Sequence, residues 1–206
     1  MSRAESVIVA AVVFIACPAT CFTIAWWVSA SLGIPERAVA ACALAGLAVG
    51  TALAAAGWKR CVSGFYTHKR IVLVALYLFW SAMALAFLMG LPIGNVLLGV
   101  LAGLYVGRRA RHAGTPAAAF QADARRISLF AASITGLVSL AMGILAVHDQ
   151  HSMQAILGFV GLGRLAAAPA GRAALVAVAV PVLIAVQYWL THKASRWTFR
   201  LGAEPA

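Results

Sequence analysis

Apolar residues along this chain gather into six stretches free of charged side chains: 6–32, 38–57, 71–90, 91–107, 127–147 and 173–190. Each is close to the roughly 20 residues a helix needs to cross a bilayer core of about 30 Å. The third and fourth nearly abut. One helix over 71–107 would be about 55 Å long, too long for that core. Gly90, Pro92 and Gly94 supply a break, so the pattern predicts two spans joined by a tight hairpin. The expected architecture is all-α: one polytopic transmembrane helical bundle of six spans occupying all 206 residues as a single domain.

The polar segments between the stretches set an orientation. Lys and Arg fall as Arg3, then Arg37, then Lys59, Arg60, Lys69 and Arg70, with none between the third and fourth stretches. Arg108, Arg109, Arg111, Arg125 and Arg126 follow, then Arg164 and Arg172, and Lys193, Arg196 and Arg200 close the series. Alternate segments therefore hold 13 cations against 3, and the richer set includes both termini. The positive-inside rule then predicts a protein with both ends in the cytoplasm, in a prokaryotic inner membrane. Trp26, Trp27, Trp58, Tyr105, Tyr188 and Trp189 lie near stretch ends, where amphipathic rings settle at headgroup level. Trp80 falls near the centre of the third.

Composition agrees with this reading. Apolar residues are 64% of the chain and charged residues 10%, and mean hydropathy is +0.95, which excludes an ordinary soluble domain. A formal charge of +11 would suggest nucleic acid in a soluble protein. Here the cations sit in short segments beside the membrane, so the partner they fit is the lipid bilayer and nucleic acid is not expected.

Two connecting segments carry their own pattern. Thr115-Pro116 is a helix-start signature, predicting a short cytoplasmic helix over 116–126 that runs into the fifth span. Met153, Ile156, Leu157 and Val160 recur at helical spacing, predicting an outer interfacial or re-entrant segment over 152–163, with Pro169 and Gly171 ending it before the last span. At the start, Arg3 and the apolar run that follows look like a signal peptide. The run continues through Leu32, beyond an h-region of about 7–15 residues, so a retained anchor is expected.

Small residues at four-residue spacing indicate how the spans pack. Gly46 and Gly50 mark the second, Gly99, Gly103 and Gly107 form a ridge on the fourth, and Ser139 with Gly143 repeat the spacing on the fifth. Such ridges serve either packing within one bundle or a seam for a partner membrane subunit or a second copy.

Catalytic chemistry has little to draw on. No Asp, Glu, Lys, Arg or His lies inside any stretch, which argues against a proton pump, a carboxylate-driven antiporter or a voltage-gated channel. The 5 acids form no motif for metal-assisted chemistry, so neither a metal nor a cofactor is expected. Cys17 and Cys21 share a helix face and would suit a soft metal or redox chemistry, but no CxxC occurs and both lie near mid-membrane. His148, Asp149 and His151 cluster after the fifth stretch, short of a full ligand set. More telling are uncharged polar groups near mid-membrane: Trp80, Ser81, Thr135 and Ser139, with Asn95 and Gln187 nearer the ends. Thr20 and Ser133 lie at similar depth, where such hydroxyls commonly bond their own backbone. Pro18 and Pro181 fall near the centres of the first and last stretches, where a kink would open space. Trp80, Ser81, Asn95, Thr135 and Ser139 are the candidate ligand-binding set, suited to a neutral or lipophilic molecule held by hydrogen bonds and an indole.

The run Leu76-Tyr77-Leu78-Phe79-Trp80-Ser81, with Phe87-Leu88-Met89-Gly90-Leu91-Pro92-Ile93-Gly94-Asn95 and Leu98-Gly99 through Gly107-Arg108-Arg109, resembles an uncharacterised group of small prokaryotic multi-spanning membrane proteins. The similarity implies a membrane fold and transfers no site residue. In size and helix number the chain is also similar to the substrate-binding membrane subunits of energy-coupling-factor vitamin transporters. Those dock through small residues of their first helix, where this chain offers only Ala25 with Ser29 and Ala16 with Thr20. The sequence thus points first to a non-enzymatic component of small-molecule transport. A membrane scaffold without ligand comes second, and a redox or metal-handling protein third.

Overall fold

The computed structural model describes residues 3–87, 92–148 and 168–201. They form α1 (Arg3–Ser31), α2 (Glu36–Ser63), a 3₁₀ turn (Phe65–Thr67), α3 (Arg70–Phe87), α4 (Ile93–His112), α5 (Ala117–His148) and α6 (Pro169–Arg200), with no strand among the described residues. The hairpin residues 88–91 and the whole of 152–163 lie outside the described residues. α1, α2, α3, α5 and α6 are long and apolar enough to cross a membrane. The fourth predicted span is a helix, α4, but is not among these five. Its buried face is glycine and asparagine and its last turns are arginine, which lowers its hydropathy.

The helices are apolar outside and small or polar inside. Ile15, Leu53, Leu137 and Val178 are exposed, whereas Ala43, Ala131, Ser128 and Thr135 are buried. A helix folding in water does the reverse. With lipid as the solvent, large apolar groups gain nothing by turning inward, and small residues are selected where backbones approach.

The chain divides into two compact units, residues 1–70 and 71–206. In the first, α1 and α2 pair as a hairpin. Gly33 ends α1 at φ +69°, with Ile34 N–H donating back to the Ser29 carbonyl. The contact is close because Gly46 lies against the Cys21 carbonyl and Ala25, and Gly50 against the Cα of Pro18, where an added Cβ would come within 2.6 Å. At Pro18, therefore, the two helices close up rather than part. Thr20 and Thr23 donate to the carbonyls of Ala16 and Ala19 on their own helix. Tyr66 Oη donates to Glu5 Oε1 at 2.9 Å, fastening the 3₁₀ turn to the start of α1.

In the second unit α6 packs on both α4 and α5. The glycine ridge is spent there: Gly99 faces the Gln187 side chain, Gly103 the Thr191 carbonyl, and Gly107 Thr198 and the Ser195 carbonyl. α6 is also longer than the sequence pattern predicts. Pro169 opens the helix, where its missing N–H costs nothing in a first turn. At the other end α6 runs ten residues past Leu190. Thr191, Ala194, Ser195 and Thr198 are buried there although the face is no longer apolar. α5 is one helix that takes in both the 116–126 segment and the fifth span. At its far end Arg172 Nε donates to the Val147 carbonyl at 3.1 Å.

Candidate functional site: a buried, uncharged polar seam

Polar side chains from all four helices of the second unit meet in its interior. Tyr77 and Ser81 are four apart on α3, Thr135 and Ser139 on α5, and Gln187 and Thr191 on α6, so each pair projects from one face. Asn95 stands one turn before Gly99 on α4. All seven are buried, Asn95 to 1% exposure and Thr135, Gln187 and Thr191 to 0%.

Two hydrogen-bonded groups result. Ser81 Oγ donates to Asn95 Oδ1 at 3.0 Å, joining α3 to α4. Thr135 Oγ1 donates to Gln187 Oε1 at 3.3 Å, and Gln187 Nε2 donates to Thr191 Oγ1 at 2.8 Å. Gly99 makes this possible, since only a residue without a side chain leaves room for the Gln187 carboxamide. Two polar atoms stay buried and unpartnered, Asn95 Nδ2 and Ser139 Oγ, while the Tyr77 hydroxyl turns to Thr135. A buried group without a partner costs about 1–3 kcal/mol, so a core built only for stability would have little use for two. The seam holds no carboxylate, amine, imidazole or thiol. It can give and accept hydrogen bonds but has no acid, base or nucleophile poised near neutral pH.

Of the five ligand-site residues expected from sequence, the structure brings Ser81 to Asn95 and sets Thr135 and Ser139 on the same buried face of α5. Trp80 is half-buried, with its ring edge-on to Phe79 at 5.8 Å and no hydrogen bond to the seam. It neighbours Ser81 in sequence and so points about 100° away around the helix. Ser133 is exposed, as is Pro181. Tyr77 and Thr191 were not singled out by sequence. Thr191 lay just past the apolar stretch, but its four-residue step from Gln187 was a readable signal.

The other sequence candidates lie outside the seam. Cys17 and Cys21 lie on the α1 face turned towards Gly50, both free thiols. His148 is exposed and its Nδ1 hydrogen-bonds the Ile144 carbonyl at 2.8 Å, while Asp149 and His151 lie outside the described residues. Among the described residues no group of three His, Cys, Asp or Glu could hold a metal. Two open grooves, of about 490 and 600 Å³, run along the first unit, one beside Trp26 and Glu36 and the other beside Trp58 and Lys59. Neither is lined by a seam residue.

Beyond the seam, His192 stacks on Tyr188 at 5.8 Å, and its Nδ1 is buried without a partner. Burial, and then the nearby charges of Arg196, Lys193 and Arg125, hold its imidazole below the usual histidine pKa. The chain matches no protein-family model, no curated protein and no solved structure.

Proposed function

We propose that the protein is a non-enzymatic membrane component that binds a small neutral or lipophilic molecule in the polar seam, as part of small-molecule transport in a prokaryotic inner membrane. The observation that carries this reading is the pair of unpartnered atoms, Asn95 Nδ2 and Ser139 Oγ, within an uncharged helical core. They offer hydrogen bonds to a ligand that brings no charge, and a charged one would be expensive to strip of water there.

α3 is the natural moving part. Tyr77 and Ser81 are its buried residues; one reaches the rest of the unit through the Phe130 ring at 5.3 Å, the other through Asn95. Releasing the Ser81–Asn95 bond and the contacts of Tyr77 with Phe130 and Thr135 would open the seam from the side. The glycine ridge argues against the scaffold reading, because it faces α6 within the chain and is not free to seat a partner. A partner membrane subunit or a second copy would then dock elsewhere.

The test is a panel of neutral solutes scored by thermal shift in detergent and by uptake into proteoliposomes. At least one solute should stabilise the wild type and lose that effect in both Asn95→Leu and Ser139→Ala. If Asn95→Leu raises stability and leaves uptake of every solute unchanged, the seam is packing alone and the proposal fails.

A further inference from the structure

We propose that the end of the second unit beyond the apolar stretches is a docking surface for an acidic polypeptide. This rests on reading 173–190 as a span and is independent of the ligand reading above.

The surface begins with the extension of α6. Between Gln187 and Arg200 there is no proline or glycine to bend the helix. Its inner face is held: Thr198 Oγ1 donates to the Leu104 carbonyl on α4 at 3.2 Å, and Phe199 stacks on Phe120 of α5 at 3.9 Å. Ala110, Phe120 and Ala124 close a small core beneath that stack. Arg108 Nη1 donates to the Leu201 carbonyl at 3.0 Å, tying the tip to α4. The helix ends are therefore a built extension with its own packing.

The outer face of that extension is cationic and aromatic. Lys193, Arg196, Trp197, Arg200 and Leu201 recur at steps of three and four and are all exposed, Trp197 to 61%. Trp189, four residues earlier on the same face, is 58% exposed, with the Lys193 ammonium 5.9 Å from its ring centroid. An indole at the end of an apolar stretch with a lysine beside it marks headgroup level. Trp197 comes eight residues later, about 12 Å further along the helix axis, whereas the headgroup layer is only about 5–8 Å deep. An indole that far out stands in water, and with Leu201, also exposed, four residues on it makes an apolar patch rimmed by cations, the mark of an interaction site.

Charge identifies the cover. Among the described residues of this unit the one carboxylate is Asp123, and it pairs with Arg126 at 3.6 Å. No described acid is therefore left for Arg196 and Arg200. Two guanidiniums flanking an indole are the residue types that dominate protein interfaces, and they ask for carboxylates around an apolar pocket. Anionic lipid would meet the charge but does not extend to the height of Trp197.

The experiment uses the full chain in phosphatidylcholine nanodiscs and a fluorescent glutamate–tyrosine copolymer as probe. Saturable binding is expected, weakened about tenfold in Arg196→Gln/Arg200→Gln and about fivefold in Trp197→Ala. Lys59→Gln/Lys69→Gln, which removes equal charge elsewhere, should leave it within about twofold. A polarity-sensitive dye on Trp197→Cys should escape quenching by brominated lipid, while the same dye on Trp189→Cys should be quenched. Absent binding, equal weakening in the control pair, or binding of a single-stranded RNA oligonucleotide at least as tight would each overturn the proposal. Lipid quenching at position 197 would do the same, by placing the stripe in the membrane.

Discussion

The carboxamide of Gln187 occupies the space that a side chain on Gly99 would need. That relationship couples the two properties of the second unit, its tight helix packing and its polar interior. The ridge glycines differ in what they face, so their substitutions separate. At Gly103 the obstacle is the Thr191 backbone carbonyl, which cannot rotate away. Gly103→Ala should cost about 1–3 kcal/mol in detergent unfolding, the usual range for overpacking. Gly57, with only Cys61 Sγ at 3.9 Å, is open. Gly57→Ala should be neutral or stabilising by up to about 1 kcal/mol, through helix propensity.

Gln187 links α5 to its own helix through Thr135 and Thr191. A double-mutant cycle of Gln187→Met with Thr135→Val should give a coupling of about 0.5–1.5 kcal/mol, the range seen for hydrogen bonds between membrane helices. A coupling near zero would mean that this bond does not form in the folded protein.

Arg172, only 6% exposed, sets a cation against the carbonyl end of α5 through Val147. Favourable helix-end charge and a charge-assisted hydrogen bond both go with it, so Arg172→Gln should lower unfolding free energy by about 1–3 kcal/mol. Thermal melts of the two proteins in one detergent would read the difference.

His192 makes stability depend on pH. Its folded imidazole titrates below the usual 6.5 because of burial first, and then Arg196, Lys193 and Arg125. As pH falls through that value the unfolded chain takes up the proton before the folded one, so stability is full above it and declines below. The melting temperature should therefore drop between pH 7.5 and 5, and His192→Gln should reduce that drop. An identical drop in the variant would assign it to other groups.

Much of the fold was legible because lipid imposes a coarse rule. Uncharged runs of spanning length map onto α1, α2, α3, α5 and α6, and the four-residue steps of glycine map onto helix contacts at Gly46, Gly50, Gly99, Gly103 and Gly107. What hydropathy missed was the last ten residues of α6, where Thr191, Ser195 and Thr198 replace apolar residues on the buried face. Between membrane helices a threonine packs as well as a valine, so an apolar pattern is a poor guide to where such a helix stops. The site was half legible for a related reason. Depth singled out Trp80, Ser81, Thr135 and Ser139, but depth alone does not give rotation about the helix, and this sends Trp80 off the seam and brings Tyr77 into it.

A seam that lies inside a bilayer requires α5 and α6 each to cross it. In a variant with Cys17, Cys21, Cys42 and Cys61 replaced by alanine, single cysteines at Ala113, His148 and Leu201 would be labelled in oriented vesicles with a membrane-impermeant maleimide. Ala113→Cys and Leu201→Cys should react from one face and His148→Cys from the other. Reaction of Ala113→Cys and His148→Cys from the same face would mean that α5 does not cross, and the seam would not be a membrane-embedded site.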